Sequence, residues 1–215
     1  MTATRGSRLL VVTAVDAERD ALVAGAGQLI DVAVVGVGPA SAAAATARLL
    51  ATAATPYRAV VSAGIGGGFR EHVDVGGLAL ATRSIAADLG AESPDGFLPL
   101  DDLGFGTARY EADPDLVRRL SEALPQAITG PVLTVSTATG SAASTAALRG
   151  RYPDAVAEGM EGFGVATAAA QAGVPFGELR SISNPVGPRD RAGWRIGEAL
   201  AVLANAGTVL GKLEA

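Results

Sequence analysis

Two glutamates stand where this sequence changes from apolar strand-like runs to helix-like ones. Glu18 lies in VVTAVDAERDAL (11–22), and Glu161 lies in EGMEGFG (158–164), just before the alanine-rich run ATAAAQAG. An acid in the first turn of a helix gains about 0.3–1 kcal/mol from the helix dipole, which is the plain reading of both. Glu18 also has Asp16, Arg19 and Asp20 as neighbours, the pattern of an exposed helix face. The sharper reading is that both carboxylates handle a substrate. The chain has no cysteine and one histidine, His72, so a thiolate or multi-histidine metal site is not expected. Chemistry must rest on carboxylates, amides, hydroxyls, arginines and backbone. No metal and no organic cofactor is indicated.

RSISNPVGPRDRAGW (180–194) is the most distinctive stretch. Pro185 disfavours the α region for Asn184, so the asparagine should end a strand in an extended pose with its amide aimed outward. The following loop holds Arg189, Arg191 and the only tryptophan, Trp194, with Arg195 next. It reads either as a rigid surface turn or as a lid over a planar, anionic ligand. GVGPAS (36–41) and GIGGGF (64–69) both fall short of G-x-G-x-x-G, and the strand after the first lacks the acid that would hold a ribose hydroxyl. Dinucleotide binding is therefore not expected; glycines after strands permit tight turns or close backbone approach.

These residues need a scaffold. RLLVVTAV (8–15), LIDVAVVGVG (29–38), RAVVSAGIGGGF (58–69), GGLALATRSIAAD (76–88), PVLTVSTATG (131–140) and PFGELRSISN (175–184) read as strands, the third running into a glycine loop and the fifth into a loop of its own. AVAEGM (155–160) is a candidate short strand. Alanine-rich helices separate them: one with Pro39 in its first turn, one through Ala172, and one from about Trp194 to Leu213. Segment 88–112, rich in Asp, Gly, Pro and Phe, reads as an excursion. Continuous apolar strands separated by helices call for a mainly parallel or mixed sheet covered on both faces. Ligands of such folds sit beyond the carboxyl ends of the strands. Glu18, residues 64–68, residues 136–140, Glu161 and Asn184 all meet that rule, so five segments converge on one edge. Thr139 and Gly140 join the expected set on the same ground.

At 215 residues the chain suits one domain with a substantial core. No apolar run reaches the roughly 18 residues of a membrane span. The N-terminal stretch lacks the longer apolar region and cleavage site of a secretory signal, so a cytoplasmic location is expected. The net charge is −5 and the 17 Lys and Arg form no basic run, so nucleic acid is not an expected partner.

Together the segments resemble the purine nucleoside phosphorylase and nucleosidase superfamily over nearly the whole chain. VVTAVDAERDAL is similar to its strand–turn with a catalytic glutamate. VVSAGIGGGF is similar to its base-and-ribose loop, here Gly64, Ile65 and Gly66. AVAEGMEGFGVATAAAQAGVPF is similar to its Met-Glu ribose motif, here Met160 and Glu161. RSISN is similar to the strand in which nucleosidases usually carry Asp where this chain has Asn184. The resemblance implies a single-domain α/β fold over 1–215, three-layer α/β/α with a mixed, mostly parallel central sheet. It implies N-ribosidic bond cleavage, with Glu161 on the ribose hydroxyls, Met160 against the sugar, Glu18 activating water and Asn184 at the purine. Trp194 falls where relatives place an aromatic over the nucleoside.

Asn in place of Asp favours a 6-oxopurine: the amide accepts from a protonated N7 and donates to O6. Methylthioadenosine or adenosylhomocysteine is the alternative substrate. Phosphorylases of the superfamily bring an arginine in a Gly-Asp-Pro context after the first strand and another before the glycine loop. This chain has AVDAERD at the first place, and Arg70 only after the loop, which implies water as the nucleophile. SISNPVGPRDRAGWRI is most similar to a nucleosidase branch whose nucleoside carries a carboxylated aromatic tail, so one of Arg189, Arg191 or Arg195 is expected to pair with that tail. Relatives form dimers or larger homo-oligomers, and the excursion with Phe97 and Phe105 is the expected contact. Some relatives bind or store nucleosides without catalysis; retention of Glu18 and Glu161 argues against that role here.

Overall fold

The computed structural model describes residues 8–26 and 30–213. The first three strands are β1 (Leu9–Thr13), β2 (Ile30–Val34) and β3 (Ala59–Gly68). They are joined by helices α1 (Asp16–Val23) and α2 (Pro39–Thr52). Next come β4 (Leu78–Ala86), a hairpin of β5 (Gly90–Ser93) and β6 (Gly96–Pro99), the turn α3 (Leu100–Leu103), β7 (Arg109–Glu111) and α4 (Pro114–Ala123). The chain continues through β8 (Ile128–Thr134), α5 (Ala142–Arg151), β9 (Ala157–Gly159), α6 (Gly162–Ala172), β10 (Phe176–Pro185) and α7 (Ile196–Lys212). The strand expected over 29–38 ends at Val34, and its residue 29 lies outside the described residues.

The sheet is mixed. β1 lies parallel between β2 and β3, β3 runs parallel to β10, and β8 runs parallel to β4 and β9. β10 meets β4, β4 meets β7 and β9 meets β3 in antiparallel pairs. β3, β10, β4, β8 and β9 thereby close on one another, a curl that the sequence pattern did not announce. The excursion holds more regular structure than expected, because β7 rejoins the main sheet.

Alternate residues of β1 serve different cores, which is why the strand is apolar throughout. Leu9 and Val11 cluster with Leu203, Ala206 and Leu210 of α7, while Leu10 and Val12 cluster with Ala42 of α2 and Val165 and Ala169 of α6. The alanine richness of α2 and α6 has a packing cause: a side chain at Gly164 would lie 2.1 Å from the Pro39 carbonyl oxygen. Among the described residues no helix is long and apolar enough to cross a membrane.

Two features set up the site. β1 pairs with β3 only as far as Ser62, and β9 joins β3 only at Gly67, so residues 63–66 have a partner strand on one side alone. The glycines expected as a loop after β3 lie within it, in register with β10 up to Gly68.

Candidate active site

Glu18 is buried, at 3% exposure, against the expectation from its charged neighbours. It sits in the first turn of α1 and folds back, so that one carboxylate oxygen accepts from the N–H of Ala14 at 2.9 Å and of Val15 at 3.3 Å. The other accepts from the N–H of Ile65 at 2.8 Å, a backbone donor left free where β1 and β9 part from β3. Burial raises the Glu18 pKa; the Ile65 N–H and the nearby Arg180 guanidinium partly oppose it. A side chain at Gly64 would lie 2.7 Å from the Glu18 carboxylate and 3.0 Å from Arg180, so this glycine makes room for both.

Glu161 occupies the N-cap of α6, as the sequence suggested. Its carboxylate accepts from the N–H of Gly38 at 3.3 Å, from its neighbour Met160 N–H at 3.3 Å and from Arg180 at 3.1 Å. Gly38 is the N-cap of α2 with φ +90°, a conformation that suits glycine. Two helix N-termini, those of α2 and α6, thus meet at one carboxylate.

Sequence reasoning missed the group that ties this together. Arg180 is fully buried in β10 and donates to Glu161, to Glu178 at 3.1 Å and to Ser62 Oγ at 2.9 Å. Glu178 is also fully buried, and burial raises its pKa against the pull of Arg180. The available signal was Glu178 and Arg180 two apart in a strand, hence on one face. Removing one partner of such a buried pair costs about 3–5 kcal/mol, so the cluster fixes Glu161 firmly. Gly159 is needed beside it, because a Cβ there would lie 3.0 Å from the guanidinium.

A cavity of about 240 Å³ opens onto these groups. Glu18, Ile65, Gly66, Thr139, Met160, Glu161, Asn184 and Trp194 all line it, so eight of the expected residues meet. Glu158, another residue given no role from the sequence, lines it too; it contributes a third carboxylate, and the lining includes no lysine or arginine. Asn184 is half-buried and held: its Oδ1 accepts from Ser183 Oγ at 2.7 Å and its Nδ2 donates to the Pro185 carbonyl at 2.9 Å. One acceptor site and one donor remain on the amide.

The other expected residues lie outside this lining. Gly140 borders a neighbouring cleft, and its carbonyl accepts from the Arg189 N–H at 3.0 Å. The Arg189 guanidinium sits 5.6 Å from the centre of the Trp194 ring. Arg191 begins an exposed helical turn, Arg191–Gly193. Arg195 pairs with Glu198 and borders an adjacent cavity with Arg70 and Trp194.

Residues 11–213 match the phosphorylase superfamily. The chain belongs to that superfamily. Among curated members, it is 55% identical to a futalosine hydrolase of Streptomyces coelicolor, over 95% of this chain and 94% of that one. It is 45% identical to a futalosine hydrolase of Acidothermus cellulolyticus, over 94% and 89% respectively. Solved structures share the fold at low identity. A futalosine hydrolase of Helicobacter pylori superposes with a TM-score of 0.80 at 18% identity, covering 95% of this chain and 97% of that one. A Streptococcus pneumoniae MTA/SAH nucleosidase in complex with 8-aminoadenine gives 0.82 at 19%, covering 96% and 100%.

Proposed function

We propose that this superfamily member hydrolyses the N-ribosidic bond of futalosine, releasing hypoxanthine and dehypoxanthine futalosine in menaquinone biosynthesis. The near-full-length futalosine hydrolase relatives supply the substrate. The observation that carries the chemistry is the meeting of Glu18, Glu161 and Asn184 at one cavity.

Cleavage moves the electron pair of the C1′–N9 bond onto the purine and leaves positive charge on the sugar. Glu161 accepts from the ribose hydroxyls and stabilises that charge from a position Arg180 fixes in advance, while Met160 packs on the sugar. Water adds to C1′ and its proton passes to Glu18. The departing hypoxanthine takes a proton on N7 from solvent, and the unused acceptor and donor of Asn184 match that N7–H and the O6. Water rather than phosphate is supported by the three carboxylates of the lining and by Arg180, whose charge is committed to Glu161 and Glu178.

Arg189, with its guanidinium 5.6 Å from the centre of the Trp194 ring that lines the cavity, is the best placed of the three loop arginines to pair with the carboxylated tail of futalosine. An alanine series over Arg189, Arg191 and Arg195 that left tail binding unchanged would remove this assignment. A homodimer or larger assembly is proposed through the excursion, where Phe105 is 83% exposed; gel filtration at the monomer mass would count against it.

The activity is tested by incubating the protein with futalosine, inosine and methylthioadenosine, with and without phosphate, and separating the products. Hypoxanthine and free sugar from futalosine are expected. Adenine from methylthioadenosine would displace the Asn184 argument, a sugar phosphate would displace the water assignment, and no release would favour a binding role.

A further inference from the structure

The buried charges behind the candidate active site do not balance. Glu18, Glu161 and Glu178 are 3%, 6% and 0% exposed, and all three act on one guanidinium, that of Arg180. Glu18 and Glu161 have roles in the mechanism above. Glu178 has none, and it lies behind the cavity lining, under the first residue of α6, where a Cβ at Gly162 would meet both its oxygens. Stability alone does not call for it, because replacing a buried ion pair by apolar side chains is often neutral or stabilising.

The strand register shows what Glu178 does to Arg180. Glu178 is the register partner of Ser62 in β3, and Arg180, two residues on and so on the same face, is the partner of Gly64. The guanidinium divides its N–H groups accordingly. Nε donates to Glu178 at 3.1 Å and Nη2 to Ser62 Oγ at 2.9 Å, which leaves Nη1 for Glu161 at 3.1 Å. Nη1 is also the nitrogen on the Glu18 side: a Cβ at Gly64 would lie 3.0 Å from it and 2.7 Å from a Glu18 oxygen. The guanidinium is a planar, rigid fork, so holding Nε and Nη2 decides where Nη1 points. The second Glu178 oxygen has no hydrogen-bond partner among the described residues. Burial raises the Glu178 pKa, and Arg180 is the largest influence against that rise, so the guanidinium is what keeps this acid charged.

We propose that Glu178 is a positioning residue for the cleavage step: it turns Nη1 toward Glu161 and takes up part of the guanidinium charge, so that Glu161 stays negative enough to stabilise the sugar cation. With Glu161 as its sole partner, Arg180 would cancel much of the charge that the transition state needs. Divided between two carboxylates, it aims Glu161 without neutralising it. This rests on the reading of the protein as an N-ribosidic hydrolase.

The test is Glu178→Gln, which keeps the shape of the side chain and the acceptor for Nε and removes the charge. The kcat for futalosine is expected to fall at least tenfold with KM held, because the bound nucleoside is neutral and the sugar cation exists only in the transition state. The acid limb of kcat/KM is expected to move to lower pH, because a less balanced Arg180 favours the ionised form of Glu18. Arg180 and Glu161 are the charged groups that act on Glu18, and the substitution alters neither directly. An acid limb that stays in place overturns the proposal whatever happens to kcat, since a structural disturbance alone would leave it there. An unchanged kcat overturns it as well. A second measurement needs no variant: the carboxyl carbon-13 shift of Glu178 in the unmodified protein. The shift of an ionised carboxylate is expected throughout the pH range of activity, and that of a neutral acid overturns the proposal. An ionised Glu178 in a protein that fails to cleave futalosine would refute the hydrolase reading alone. Cleavage of futalosine with a neutral Glu178 would refute the Glu178 role alone.

Discussion

Gly162→Ala separates local helix preference from the demands of the buried charge cluster. Gly162 opens α6, and an alanine inside a helix is ordinarily better than glycine by roughly 0.5–1 kcal/mol. Here a Cβ would lie 2.2 Å from both carboxylate oxygens of Glu178, far inside van der Waals contact. Glu178 is fully buried in the sheet and cannot swing into solvent, so the methyl must break its 3.1 Å bond with Arg180 or push α6 away. Disrupting a buried ion pair costs about 3–5 kcal/mol, which outweighs the helix gain and leaves a net loss of about 2–4 kcal/mol. At roughly 2–4 °C per kcal/mol for a chain of this size, the melting temperature should fall by about 5–15 °C. The assay is urea and thermal unfolding of four proteins: unmodified, Gly162→Ala, Glu178→Ala and the double variant. In the Glu178→Ala background the methyl has nothing to strike, so Gly162→Ala should be neutral or mildly stabilising there. A single variant as stable as the parent, or an equal loss in both backgrounds, would refute the account of Gly162 as space reserved for a carboxylate.

Glu18→Gln should lower kcat by about 10²–10⁴ with little change in KM, read from steady-state futalosine hydrolysis, because the base acts in the transition state. The acid limb of kcat/KM against pH should fall above the 4.5 of an ordinary glutamate, since burial raises the Glu18 pKa of the free protein and the ionised form is the active one. Activity is then present above that raised pKa and lost as pH falls through it, and the residual rate of Glu18→Gln should lack the limb. Asn184→Asp should move preference toward the adenine-bearing nucleoside by at least about tenfold in the kcat/KM ratio, because the carboxylate cannot donate to O6.

Glu161 and Asn184 were legible because the strand-end rule needs only the order of strands: Glu161 stands just beyond β9, and Asn184 is the next-to-last residue of β10. Glu18 was legible in place but not in environment: its neighbours Asp16 and Asp20 are exposed and Arg19 is half-buried, and one turn of helix carries Glu18 from solvent to interior. Arg180 was hidden for a related reason. A charged residue within an apolar strand reads as a solvent-facing position unless both faces are known to be covered. The run GIGGGF read as a loop because glycine is a poor strand former. It extends the strand because Glu18, Arg180 and Ile182 occupy the space its side chains would need. The closing of the sheet through β9 rests on three residues, Ala157–Gly159, too short a stretch for any periodic signal.

The parting of β1 and β9 along β3 has a consequence for the resting molecule. Residues 63–66 lean on a neighbouring strand on one side only, and on the other the Glu18 carboxylate supplies the contact through the Ile65 N–H. A side chain thereby acts as a stand-in for the missing strand. When the Glu18 carboxylate takes a proton it becomes a weaker acceptor, so this part of the sheet should loosen once per catalytic cycle. Deuterium uptake at the Ile65 amide would therefore follow the charge of Glu18, and the centre of the sheet would carry a built-in reporter of the state of the base.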